Sequence, residues 1–320
     1  MKSKTKILCI ITVCVSIIFT GCQEKYAGNF DNNSTTCENI VMGNGKFTLH
    51  NDFIYFTNRE NIYEYDMETK STIILNSESA DVRSLYIQDN YIYFACAGLK
   101  RITKDGKKVQ QIFESKKGCI QLYVEDAYAY FLDSVEGCLY RRNLKEDKEK
   151  KLLENVLAYY IDENNIYAVA KDKDIPYLFV SKKEEIDFRI QELSFIPISV
   201  LTKDSTIYAS ERQSHQIVKI SSKGEERLPI YGTYYQVIDD KIIYLDSKTY
   251  ENSCFTLVEY NVNTGESKNI YENVFDFNIL ENKYVCIQHM PVQTAEYYIY
   301  NLETGENLLM YKEGDSAWKN

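Results

Sequence analysis

Residues 89–112 read DNYIYFACAGLKRITKDGKKVQQI. Tyr91, Tyr93 and Ala95 alternate with Ile92, Phe94 and Cys96, which is the period-two spacing of a strand. A short break leads to a second stretch, Leu99 to Thr103. Lys104-Asp105-Gly106 is a turn in which glycine supplies the positive φ of a tight hairpin. Val109 to Ile112 then leads away from it. Upstream, RSLYI ends just before the turn pair Asp89-Asn90 and supplies a fourth strand. The unit is therefore strand, turn, strand, loop, strand, turn, strand, here lettered A to D.

The unit recurs along the chain. NDFIYF (51–56), DNYIYF (89–94), EDAYAYF (125–131), ENNIYA (163–168), DSTIYA (204–209), DDKIIYL (239–245) and ENKYVCI (281–287) align with one another. Their anchors are Tyr55, Tyr93, Tyr130, Tyr167, Tyr208, Tyr244 and Cys286, at spacings of 38, 37, 37, 41, 36 and 42 residues. Four short antiparallel strands repeated at this period predict an all-β fold. The expected architecture is a β-propeller of about seven four-stranded blades over residues 45–320, with six or eight blades as alternatives. Helical solenoids share the period, but the Tyr, Ile and Val alternation excludes them. Leu85, Tyr86 and Ile87 are apolar in succession, as an inner strand packed on both faces should be. The D strands read as polar, lysine-rich edges. The first strand is an A strand and the last a D strand, so no closing strand exchange is evident. CENIVM (37–42) is the one stretch that would add such a strand.

LKRITKDGKKVQQI resembles the bacterial propeller family of unknown function related to the low-density-lipoprotein-receptor (YWTD-type) propellers. In that family a tyrosine-rich strand precedes a Leu-x-Arg-x-x-x-Asp-Gly hairpin. The resemblance covers most of residues 45–312 and is best in blade 2. YWTD propellers have six blades, against the seven units counted here. The Asn-x-x-Thr-Gly-Glu turns at 261–266 and 301–306 resemble those of other bacterial propellers. The resemblance brings no catalytic residue with it.

The N-terminus reads as an address. Lys2, Lys4 and Lys6 precede an apolar run from Ile7 to Phe19, too short to span a bilayer comfortably. Thr20, Gly21 and Cys22 follow. This resembles a bacterial lipoprotein signal, in which small residues precede the cut and a cysteine thiol accepts the lipid. Phe19 stands where leucine is usual. The expected organisation is a signal peptide at 1–21, a lipidated Cys22 with a polar tether over 22–44, and the propeller at 45–320. Loss of 1–21 removes three lysines and no acid, taking the formal charge from −10 to −13. With 37 basic and 47 acidic residues the chain lacks the positive face that nucleic acid requires. The expected location is extracytoplasmic, on the membrane and at the cell surface.

Antiparallel blades place the B–C loops and the D–A connections at one end. The B–C segments of blades 4 to 7 are the long ones: AKDKDIP, SERQSHQ, DSKTYENSC and QHMPVQTAE. They predict a raised rim containing Asp172, Asp174, Arg212, His215, Tyr250 and His289, since long loops on a rigid scaffold tend to carry function. His215, His289 and Glu211 are the one plausible acid–base set, which would suit a propeller lyase or hydrolase. Asp172 and Asp174 offer calcium few oxygens. Phosphate-loop, G-x-S-x-G and H-E-x-x-H motifs are all missing, and no cofactor is expected. After the leader and Cys22, six cysteines remain: Cys37, Cys96, Cys119, Cys138, Cys254 and Cys286. The cysteines show no CxxC spacing, which argues against a zinc knuckle. The even number permits disulfides, and Cys286, in an anchor slot, reads as a buried free thiol. The sequence points to a monomeric, non-catalytic module that binds a protein, peptide or cell-wall glycan.

Overall fold

The seven anchors occupy one register position in seven consecutive blades. In each blade the anchor on strand B faces a residue of strand A: Thr48, Tyr86, Tyr123, Tyr160, Leu201, Tyr235 and Asn278 respectively. All seven anchors are buried. The six tyrosine rings thus fill the space between neighbouring blades and offer a ligand no stacking surface. The computed structural model describes residues 45–314, apart from 78–81, 89, 97, 115–118, 134 and 291–293. The leader, Cys22, the tether, Cys37 and CENIVM lie outside the described residues.

Five sheets have four strands and one has seven. The seven-stranded sheet is two blades. Its strand Ser267–Leu280 pairs through its first residues with Cys254–Asn261 and through its last with Tyr284–His289. Strand D of blade 6 therefore runs directly into strand A of blade 7. Seven blades result, each built from consecutive strands. This settles the count against six or eight.

Local chemistry sets the turns. The A–B turns hold Asn51, Asp126, Asp204, Asp239 and Asn282 at positive φ, a conformation that Asn and Asp tolerate best after glycine. At the C–D turns of blades 6 and 7, Asn261 and Asn301 each accept backbone N–H bonds from two and three residues ahead. Gly265 (φ 74°) and Gly305 (φ 73°) then close each turn onto the asparagine carbonyl. The Leu-x-Arg element of blade 2 has a counterpart in blade 3. Arg101 lies 4.0 Å over the Tyr91 ring and Arg141 lies 4.8 Å over Tyr128.

The ring closes where blade 7 meets blade 1, without an exchanged strand among the described residues. One apolar cluster spans this seam: Phe47, Ile54, Phe56 and Tyr63 from blade 1 pack with Cys286, Tyr297, Met310 and Tyr311 from blade 7. The Tyr63 ring lies 4.5 Å from Tyr311, and their hydroxyls are 3.1 Å apart. The Thr72 hydroxyl donates to the Met310 carbonyl. At the B–C end of the seam, Lys46 Nζ lies 3.1 Å from Asp276 Oδ2 and donates to Gln288 Oε1 at 2.8 Å. Both Lys46 and Asp276 are buried.

One expectation needs correction. The D edges are less polar than they read: Ile73, Ile74, Val109, Ile190 and Leu309 are exposed there. Strand D of blade 4 begins only at Arg189, because 183–188 form a longer turn in which Ile186 takes a positive φ. The five described cysteines are buried and stand outside any disulfide. Cys286 is a buried thiol, and burial pushes its pKa up.

Candidate functional site: the B–C face

The rim exists, but it is built mostly of hairpins. In blade 4, strands Asn165–Asp172 and Ile175–Lys182 pair to their ends, Asp172 opposite Ile175. Only Lys173 and Asp174 form the turn, both at positive φ. In blade 6, strands Lys241–Glu251 and Cys254–Asn261 pair up to Asp246 and again at Glu251 opposite Cys254, next to the turn at Asn252 and Ser253, with an irregularity over 247–250. The expected loops AKDKDIP and DSKTYENSC are therefore largely strand. These segments extend beyond the core, so burial leaves no alternation to read. Blade 5 keeps a true loop at 212–215; in blade 7 strands Tyr284–His289 and Glu296–Asn301 bracket a segment of which 291–293 lie outside the described residues.

Blade 3 was expected to be short here and is not. Its B–C segment spans 133–138. Asp133 Oδ1 accepts the backbone N–H of Val135 and Glu136 and so organises it. This local asparagine-like turn was the available signal in the sequence. It presents Val135, 73% exposed. Ile175 (42%) and Tyr250 (60%) are exposed at the hairpins of blades 4 and 6. Together with the five D-strand residues, these three complete the large apolar side chains exposed among the described residues. The A–B and C–D turns carry none of them.

The predicted residues fall into separate groups. Asp172 is exposed, and Asp174 pairs with Lys171 at 3.2 Å. Arg212 is exposed and opens the blade 5 loop that His215 closes. His215 Nδ1 lies 3.2 Å from Ser247 Oγ of blade 6. Tyr250 packs on Phe255 with centroids 4.9 Å apart. His289 Nδ1 lies 3.3 Å from Glu296 Oε2, directly across the strands of blade 7.

The side chains of the proposed acid–base set share no hydrogen bond; His215 and Glu211 meet only through the backbone, where the His215 N–H donates to the Glu211 carbonyl at 2.8 Å. Glu211 instead accepts from the Ser214 hydroxyl and, at 3.1 Å, from Arg227. Those two donors hold its carboxyl below the usual range despite partial burial. The carboxylate beside His289 is Glu296, which also accepts from Lys312 Nζ at 2.6 Å and from the Tyr298 hydroxyl at 2.8 Å. Lys312 foremost, with Tyr298 and His289, keeps Glu296 below its usual pKa. The rings of Tyr271 and Tyr298 flank His289 at 5.4 and 5.8 Å.

Residues missed in the sequence complete the centre of the face. Lys248 Nζ lies 3.7 Å over the Tyr231 ring. Gly232, next to Tyr231, donates its N–H to the His215 carbonyl. His215, Tyr231, Ser247 and Lys248 thus form one contiguous surface joining blades 5 and 6.

Neither a protein-family model nor a curated protein matches this chain. Solved structures do. A chain of the nidogen/laminin complex is similar at 13% identity with a TM-score of 0.50, covering 67% of this chain and 91% of that one. The N-terminal domain of Nup159 is similar at 13% identity with a TM-score of 0.53, covering 84% and 89%. A puromycin hydrolase complexed with PGG is similar at 9% identity with a TM-score of 0.63, covering 83% of this chain but 53% of that one. At such identities the likeness concerns fold, and with the seven blades above it makes this chain a β-propeller.

Proposed function

We propose that this chain is a membrane-anchored, extracytoplasmic lipoprotein of the bacterial YWTD-like propeller kind, and that it binds a protein partner on its B–C face without changing it. The observation that carries the reading is the placement of Val135, Ile175 and Tyr250. Exposed apolar tips on three hairpins of one face, with bare turns on the other, are what a docking surface offers. The nidogen/laminin structure is itself a complex of two proteins, which supports the same use of this fold.

The test uses the soluble chain 23–320 as bait for extracts of the source cell. The triple variant Val135→Ser, Ile175→Ser, Tyr250→Ser should retain the captured partner at least about tenfold less well. Equal retention would refute docking on this face. Anchoring is tested separately. Cys22→Ala should move the protein from the membrane fraction to the soluble one, and unchanged membrane retention would sink the lipid anchor.

An enzymatic reading draws on one observation, the His289–Glu296 pair. It belongs to a lyase or hydrolase whose base is His289. His289→Ala should leave partner capture unchanged; loss of the cellular phenotype with capture intact would favour the enzyme.

A further inference from the structure

Several charges around the B–C face are matched within the protein. Arg227 meets Glu211, Lys171 meets Asp174 and Lys312 meets Glu296. Asp172, Lys173 and Glu251 stand exposed outside any ion pair among the described residues, and so do Arg212 and Lys248. Lys248 rests on the Tyr231 ring, which holds the ammonium in place without neutralising it. The nearby Asp246 spends one carboxylate oxygen on the backbone N–H of Lys248. Arg212 belongs to the loop that His215 ties to Ser247, the residue before Lys248. Two residues beyond Lys248, Tyr250 stands 60% exposed against Phe255.

In a chain of formal charge −10, this places two unmatched cations beside an apolar shelf on the face argued above to dock a protein. Resting on that reading, we infer that the surface between the B–C hairpins of blades 5 and 6 takes an acidic peptide segment of the partner, with carboxylates on Arg212 and Lys248 and an apolar side chain on Tyr250. Guanidinium and ammonium groups favour carboxylates through charge-assisted hydrogen bonds. A neutral glycan would use the aromatic shelf and leave both cations idle, so the peptide fits better.

Fluorescence anisotropy with the soluble chain 23–320 tests this. The probes are a labelled peptide alternating Glu and Tyr, its Lys and Tyr counterpart, and polyphosphate. The acidic peptide should bind and the basic one should not. Its affinity should fall as salt rises from about 0.05 M to about 0.3 M. The variant Arg212→Glu, Lys248→Glu should weaken it at least about tenfold with an unchanged circular dichroism spectrum. Equal binding of acidic and basic peptides, or an unmoved affinity in the double variant, would overturn the inference. Tighter binding of polyphosphate than of the peptide would also overturn it, in favour of an anionic polymer. If the double variant still captures the cellular partner while the triple serine variant does not, the docking face stands and this assignment fails.

Discussion

Replacing Lys46 by methionine is expected to cost about 3–5 kcal/mol of stability, the range for removing one partner of a buried ion pair. The loss would be a large share of what a domain possesses. The reason lies at the seam. Methionine preserves the length and apolar stem of the side chain but strands Asp276, which is 6% exposed and meets Lys46 at 3.1 Å. Gln288 Oε1 loses its donor at the same time. Adding Asp276→Asn should recover more than half of the loss, because it removes the orphaned charge and keeps an acceptor for the Phe277 N–H. Urea unfolding followed by far-ultraviolet circular dichroism gives the numbers. Hydrogen exchange should quicken first in blades 1 and 7, since the contacts across that seam among the described residues run through side chains. A single Lys46→Met variant within about 1 kcal/mol of the parent would show that the aromatic cluster closes the ring unaided.

The seam also marks where the sequence stops being informative. The blades were legible because their demands are local. Tyr93 lies seven residues from its strand partner Tyr86 and must face inward, and Gly106 must turn the chain, so both leave a pattern at short range. Lys46 and Gln288 stand 242 positions apart, and no periodicity connects them. The rim was half legible. Unequal segment length pointed to blades 4 to 7, and Arg212, His215, Tyr250 and His289 do lie there. What those residues touch was not legible. His289 meets Glu296 only because the two stand opposite across strands B and C, and that register depends on the length of the intervening turn. Glu211 looked equally available beside His215, until Arg227 from strand D of the same blade claimed it. Val135 was overlooked because Asp133 makes its loop by side-chain capping, which leaves no hydrophobic alternation.

The stretch at 89–112 carries the sharpest test of how the blades fit. Gly106 and Gly265 close equivalent C–D turns at nearly the same φ, +72° and +74°. Alanine at either position pays for the left-handed backbone, about 1–2 kcal/mol. Their surroundings differ. A Cβ on Gly265 would meet nothing within 4 Å, whereas one on Gly106 would sit 2.4 Å from the Leu75 carbonyl oxygen. Leu75 lies on strand D of blade 1, Ser71–Ser77, so the obstacle is the backbone of the neighbouring blade. That backbone cannot rotate aside as a side chain would. The turn itself is also tied down: the Gly106 N–H donates to the Thr103 carbonyl at 2.8 Å, and the Thr103 hydroxyl donates to Asp105 at 2.6 Å. Gly106→Ala should therefore cost about 2–5 kcal/mol, adding the overpacking of a rigid contact to the conformational term. Gly265→Ala should stay near the conformational term alone. The difference between the two variants in urea unfolding isolates the contact between blades 1 and 2. Equal losses would mean that the turn of blade 2 does not rest on blade 1, and that the close approach at Leu75 plays no part in holding the ring together.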